Sequence, residues 1–451
     1  MFASYRRVLA APGALAFTLT GLLGRLALSM TGVSTVAMIA ARRDSYALAG
    51  TVSAAGLVTA AVGLPLVGRL VDRYGQARAT VPAVLGCAVP LAGLLLCVHL
   101  GAPDWTLYVC WAACSFNPNL GGMARARWAY LFRADPQARH VANALEQALD
   151  EACFMTAPVL AILLCTSLFP EAGLIAGGTL GAAGALLFAA QRRTEPPVQA
   201  PDPEERRPGS PLRRPGLRVM ALTFLATGTV FGSMEVTTLA YADALGQKSL
   251  AGPLLGLVAA GSCLAGLVFG LLRPRRAPAV RFLCGVAAMA LLLLLPLTAA
   301  LAGAGLGLLG AALFVAGTGT APTMVTGMTV VQELLPRRQL NEGMSVAVSA
   351  LLTGISAGAA AGGLIAQQAG PGAGYRLTAG AAVLALLVAL AGRRTLGRRP
   401  DTTATPATVT GTGAGAWTGT GTGTASGAGA GTASGAGAGP EIARRPVGAD
   451  R

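Results

Sequence analysis

The stretch His140–Ser167 reads HVANALEQALDEACFMTAPVLAILLCTS. It is long enough to cross a bilayer as one helix, for which about 20 apolar residues suffice. Inside that apolar run stand Glu146, Asp150 and Glu151. A charged carboxylate at membrane depth costs about 3 kcal/mol on insertion scales unless it pairs, hydrates or takes up a proton. Such groups are therefore candidates for function. Glu146 and Asp150 are four residues apart, about 40° on a helical wheel, so one helix face presents both. Glu151 points about 140° away from Glu146 and needs a different neighbour. A second reading stays open, in which the acids lie close enough to the helix start for the N-terminal dipole and water to hold them.

The rest of the chain has the composition to match. Of its 451 residues 53% are hydrophobic and only 12% charged, about half the charged fraction of soluble domains. Mean hydropathy is +0.60. The net charge of +15 would suit a nucleic-acid partner. Its arginines, however, sit in short clusters between apolar runs, which is the positive-inside pattern of a polytopic membrane protein. The eight cysteines all fall inside apolar runs and form no C-x-x-C. They read as small packing residues and not as disulfides or metal ligands.

Apolar runs predict twelve spans, near 13–39, 46–68, 79–100, 104–124, 141–168, 171–190, 217–242, 248–272, 279–301, 304–329, 341–366 and 373–392. The start, SYRRVLAAPGALAF, looks like a leader peptide, but its apolar part runs on to Ile39 and reads as an uncleaved first span. Alternate loops hold the arginines: Arg6 and Arg7; Arg69, Arg73 and Arg78; Arg125 to Arg139; Arg192 to Arg218; Arg273 to Arg281; Arg337 and Arg338; Arg393 to Arg399. Both termini are thus expected in the cytoplasm, with Arg42 and Arg43 on the opposite side as an exception. The longest connection, 191–216, is rich in Pro, Arg and Glu and reads as an extended cytoplasmic linker. It divides the chain into six-helix bundles at 1–190 and 217–392. The segment 393–451 reads as a disordered Gly/Ala/Thr-rich tail.

Between spans two and three stands Gly68-Arg-Leu-Val-Asp72-Arg73-Tyr-Gly75, followed by Arg78. This resembles the G-x-x-x-D-R-x-G-[RK]-[RK] loop of the major facilitator superfamily. Gly68, Asp72, Arg73 and Gly75 match, while Gln76 and Ala77 replace the basic pair and Arg78 comes one position late. With twelve spans and a six-plus-six split, the resemblance covers about residues 13–392. It implies an all-α integral membrane fold of two six-helix bundles around a central cavity, working by rocking alternating access. It also implies that Asp72 and Arg73 gate the cytoplasmic side, with Asp72 against the start of span eleven near Asn341, Glu342 and Gly343. The second half's loop, Gly270-Leu-Leu-Arg-Pro-Arg-Arg276, lacks the acid. Span five keeps only Pro158 of the glycine-rich motif of drug–proton antiporters. It looks more like actinobacterial-type facilitator proteins with an E-x-x-x-D-E helix followed by a proline.

Arg25 lies about 12 residues into span one, roughly 18 Å deep, and Asp150 about 9 residues into span five, roughly 14 Å deep. Both helices run in the same direction, and in the superfamily these spans are neighbours. An Arg25–Asp150 ion pair with Glu146 in reach is therefore expected, static or switching; a snorkelling Arg25 needs no partner. Glu235, in the outer half of span seven with no arginine at its depth, is the protonation candidate, or else a hydrated residue at the mouth. In span four, Asn117-Pro118-Asn119 interrupts the helix ladder, so the two asparagines either line a cavity or satisfy a kink. Arg125 and Arg127 follow, with charge balance against Glu146 or Asp72 as their expected role. Thr320 and Thr323 begin an i+3 series that reads as a polar cavity wall or as helix packing.

No enzyme constellation and no GK[ST] phosphate loop is present. The expectation is a cofactor-free, monomeric secondary transporter of a small organic solute in the cytoplasmic membrane, and the family resemblance implies proton-coupled efflux. Alternatives are an uptake carrier using the same residues and a non-transporting receptor or chaperone of the same fold. Nucleic acid is not an expected partner; lipid and a small-molecule substrate are.

Overall fold

A computed structural model of the chain describes residues 2–198 and 210–397. The segment read as a tail lies outside the described residues beyond 397, as does the middle of the linker, 199–209. Every regular element among the described residues is helical. Eleven helices are long and apolar enough to cross a membrane. They are Ala14–Arg43, Leu48–Tyr74, Gln76–His99, Pro136–Ser167, Ala172–Ala190, Pro215–Ala244, Ala251–Leu271, Pro278–Leu301, Leu306–Leu334, Arg337–Ala369 and Gly374–Ala391. They supply spans one to three and five to twelve.

The span expected at 104–124 is not one helix. It is broken into Asp104–Ala113 and Leu120–Leu131. Pro118 cannot donate to the ladder, and the new helix is started by Asn119, whose Oδ1 accepts from Gly122 N at 2.9 Å. Asn117 Nδ2 donates to the orphaned Cys114 carbonyl at 2.6 Å. The amides therefore satisfy the break, and both are half-buried there. The first piece packs on spans two and three, the second on spans one and five, so the pair still joins the two ends of the bundle.

Close helix approach sets the packing of each half. Gly228 and Gly232 of span seven meet Gly354 and Gly358 of span eleven; a Cβ on Gly358 would lie 2.7 Å from Thr229 Cα, and one on Gly232 2.8 Å from Ala359 N. Small residues let backbones touch where no hydrophobic force drives helices together in lipid. Spans one and six do the same at Gly24 and Gly184. Large side chains fill the remaining space, around Phe17, Trp128 and Phe188 in the first half and around Phe224, Phe282 and Val331 in the second.

The two ends of the molecule differ. At one end lie the amino-terminal helix Phe2–Leu9, both described ends of the linker and Arg393–Leu396; this is the linker end. The linker is anchored where it begins: Arg127, fully buried, donates to Gln191 O at 3.0 Å and Thr194 Oγ1 at 2.9 Å. Glu195 Oε1 accepts from Ala77 N at 3.0 Å. At the opposite end the exceptional arginines are accounted for. Arg42 holds Glu171 at 2.7 and 3.0 Å, and these hydrogen bonds keep the Glu171 carboxyl below the usual range. Arg43 donates to the Cys97 and Ala102 carbonyls at 3.2 and 2.5 Å, closing the loop before span four.

Candidate functional site

Span five carries the chemistry because its two faces meet different neighbours. On one face Asp150 bridges two arginines: Oδ1 lies 2.7 Å from Arg25 Nη1 and Oδ2 2.7 Å from Arg125 Nη2. Glu146, one turn away and fully buried, has Oε2 2.7 Å from Arg25 Nη2, an ion pair by distance whose angle lies outside hydrogen-bond geometry. Its Oε1 accepts from Trp128 Nε1 at 2.7 Å. Arg125 thus finds Asp150, and neither Glu146 nor Asp72 as its sequence position suggested. The break before Leu120 is the reason. It restarts the helix so that Arg125 points at span five, while Gly121 leaves room: a Cβ there would lie 3.2 Å from Arg125 Nη1 and 3.5 Å from Arg25 Cδ. Two guanidinium groups and two carboxylates close a neutral cluster, which is what makes burial of four charges tolerable.

Glu151 faces the other way and has no arginine. Its Oε1 accepts from Gln147 Nε2 at 3.1 Å and from Ser262 Oγ at 2.9 Å. Ser262, on span eight, in turn accepts from Thr320 Oγ1 at 2.6 Å. Gln147 also reaches Arg125 at 3.4 Å. A chain of polar contacts therefore runs from the charge cluster of the first half, through Glu151, into the second half.

The other links between the halves are nearer the linker end. Asp72 accepts from Asn341 N at 3.1 Å, Asn341 Nδ2 at 2.8 Å and Glu342 N at 2.9 Å. A carboxylate on these free amides suits the positive end of the span-eleven helix. Gly68 permits the approach, since a Cβ would come 2.8 Å from Asn341 O. Gly75 turns the chain with φ of +93°. Arg73, expected to share the gate, instead lies over the Tyr74 ring at 5.2 Å, and Arg78 is exposed. The arginine of this loop that reaches the second half is Arg69, which grips Glu342 through two contacts of 3.1 and 2.6 Å. Sequence reading passed over it because Arg69 lies outside the D-R-x-G core. The signal available was Glu342, a lone acid at the start of an apolar run.

Further links join Arg139 to Glu333 at 3.7 Å, Asn143 to Thr329 and Gln332 at 3.1 and 3.2 Å, and Tyr5 to the Leu267 carbonyl at 2.7 Å. The Tyr5 hydroxyl is pushed up to about 12 by burial.

Of the two readings of span ten, Thr323 takes the packing one: it is 1% exposed, packs on Gly285 of span nine and donates to its own helix at Gly319 O, 2.8 Å away. Thr320 is buried likewise and serves the Ser262 link. Glu235 is exposed on span seven. Ser233 and Thr237, which face span twelve, are each about 160° around the helix from it. It therefore points away from span twelve. Among the described residues no group of three or more His, Cys, Asp or Glu side chains is arranged to hold a metal ion.

Against known proteins, residues 17–313 match the model of the Major Facilitator Superfamily. No curated protein matches the chain. Among solved structures it is similar to the human organic anion transporter MFSD10 (TETRAN), with a TM-score of 0.63 and 17% identity over 86% of this chain and 99% of that one. It is also similar to a bacterial homologue of the iron transporter ferroportin in an outward-facing state, with a TM-score of 0.65 and 16% identity over 84% and 99%. The proton:xylose symporter XylE gives a TM-score of 0.61 and 15% identity over 83% and 94%. At these identities the likeness is one of fold.

Proposed function

Because the chain belongs to the Major Facilitator Superfamily, we propose that this small-solute transporter is a proton-coupled exporter in the cytoplasmic membrane. It is a carrier and not an enzyme, and works without a cofactor. The concentration of arginines at the linker end supports a cytoplasmic position for that end by the positive-inside rule. Arg42 at the other end is neutralised by Glu171. The halves are bonded at the linker end, so this arrangement is the outward-facing one, with Asp72 and Arg69 as its latch.

The observation that carries proton coupling is a charge count at membrane depth. Arg25 and Arg125 balance Glu146 and Asp150, which leaves Glu151 over. Its partners are neutral, so nothing but hydrogen bonds holds its charge. A proton there turns an acceptor into a donor, at a contact that spans both halves. Glu235 is the second candidate. In this reading the neutral Arg25–Arg125–Glu146–Asp150 cluster keeps the face of span five rigid while Glu151 titrates.

The test uses full-length protein in proteoliposomes with an imposed pH gradient, a panel of organic solutes and a pH-sensitive dye inside. Glu151→Gln is expected to keep solute exchange and lose solute-driven proton movement. If Glu235→Gln alone has that effect, the role passes to Glu235. Coupling intact in both variants ends the proton reading.

A further inference from the structure

His140 sits at the start of span five and is 4% exposed, and its hydrogen-bond and ring partners belong to the other half. Its Nε2 is 2.9 Å from the Phe269 carbonyl at the end of span eight. Arg281 Nη2, from the start of span nine, lies 3.1 Å from Nδ1 and 3.2 Å from Nε2. Phe269 completes the enclosure: its ring packs edge-on to the imidazole at 5.2 Å and beneath the Arg281 guanidinium at 5.0 Å. The carbonyl fixes the tautomer. Nε2 carries the proton given to the carbonyl, while Arg281 Nη2, almost equidistant from the two ring nitrogens, sits over the ring and not along the in-plane Nδ1 lone pair.

We infer that His140 is a pH-sensitive contact that holds the linker end shut while its imidazole is neutral and releases it on gaining a proton. A protonated ring sets a positive charge directly against the Arg281 guanidinium, so the contact becomes cation against cation. The surrounding charges do not cancel this. Arg139 and Glu333 engage each other beside it at 3.7 Å, and Glu333 also acts on Arg281, so one carboxylate serves two cations and a net positive charge faces the ring. Asn143, one turn deeper, bonds neutral Thr329 and Gln332. On the amino-terminal helix, Tyr5 bonds the Leu267 carbonyl and Arg7 approaches Asp135 at 3.4 Å. Histidine is the side chain whose ordinary titration falls between pH 5 and 8, so the switch answers to the pH at the linker end, the cytosol in the orientation proposed above. It requires alternating access but neither export nor proton coupling.

The test is hydrogen exchange by mass spectrometry on the full chain in lipid nanodiscs, with no solute and no gradient, so failure of the transport assay leaves it untouched. Segments 137–145 and 264–271 are read at pH 7.5 and 5.5 as ratios of wild type to His140→Gln. Comparing the two proteins at one pH removes the chemical pH dependence of exchange. Glutamine keeps one donor and one acceptor and does not titrate. The expected result is a ratio near one at pH 7.5 and at least about fivefold faster wild-type exchange at pH 5.5. Arg281→Gln leaves His140 titratable but takes away the facing charge, so its own acid response should shrink below that of wild type. A ratio that stays the same at both pH values overturns the inference. So does a full acid response in Arg281→Gln, which also decides the matter if His140→Gln does not fold.

Discussion

Replacing Asp150 by Asn tests whether the buried charges form a closed account. Asp150 accepts from two arginines at 2.7 Å each, and the arginine side chains are 9% and 4% exposed. The amide keeps the shape but loses the charge and turns one oxygen into a donor aimed at a guanidinium. Two buried cations are then left to Glu146 alone. Removing one partner from a buried pair costs about 3–5 kcal/mol. Asp150 itself is 21% exposed, so water offsets part of the loss and the lower figure, about 3 kcal/mol, is the better expectation. At about 1–2 °C per kcal/mol for a unit of this size, Tm should fall by about 3–6 °C. The assay is thermal unfolding of the detergent-purified full chain at one fixed scan rate. Arg25→Gln with Asp150→Asn removes one charge of each sign. The double variant should therefore lose less than the sum of the two singles, by at least about 1 kcal/mol. A Tm within about 1 °C of wild type for Asp150→Asn, or strict additivity in the double variant, refutes the account.

Asp72→Asn takes the charged acceptor from three donors at the start of span eleven. Charge-assisted bonds contribute about 1.5–3 kcal/mol each, so amide exchange over 338–345 should rise at least about tenfold; unchanged exchange means these bonds do not hold the gate. Gly232→Val should lower Tm sharply, since its Cβ lands on the backbone of span eleven, whereas Gly363→Ala, whose Cβ would sit 3.6 Å from Val236 Cγ1, should be tolerated. Equal Tm values for those two would remove glycine contact as the basis of the span seven–eleven pair. The Arg42–Glu171 pair lowers the carboxyl pKa, so its stabilisation is present above the unfolded value of about 4.3 and lost as pH falls through the folded one. The Tm advantage of wild type over Glu171→Gln should thus hold from pH 7 to 5 and fade below about pH 4; a gap that widens on acidification contradicts the sign.

Much of this was legible in the sequence, for identifiable reasons. Helix rise alone puts Arg25 and Asp150 at similar depth, because spans one and five are unbroken between their ends and those residues. Asp72 against Asn341 and Glu342 was readable because the D-R-x-G loop marks it. Arg125 was not readable. Its partner depends on where the helix restarts after Asn117-Pro118-Asn119, and a six-residue break changes both depth and facing. The threonines of span ten stayed ambiguous because a hydroxyl at membrane depth has two uses. Thr323, Thr326 and Thr329 spend theirs on carbonyls of their own helix, at 2.7–2.8 Å. Composition cannot distinguish that from a polar wall. Arg42 and Arg43 looked like violations of charge asymmetry only because Glu171 and the Cys97 and Ala102 carbonyls are distant in sequence.

The distribution of links between the halves also says which of them move. Glu151–Ser262 is the deepest polar link named here, and His140–Phe269 and Asp72–Asn341 lie toward the linker end. Eleven helix positions separate His140 from Glu151, about 16 Å along the axis. If the halves rock about the level of Glu151, a tilt of only about 10° parts them by about 3 Å at His140, enough to break a hydrogen bond outright. The same tilt leaves the Glu151–Ser262 contact nearly in place. A bond at the pivot is therefore poorly suited to latch either state but well suited to report a proton to both. Bonds at the rim are the reverse: they latch one state and vanish in the other. On the function proposed above, that division would assign proton chemistry to Glu151 and gating to Arg69, Asp72 and His140, without asking one residue to do both.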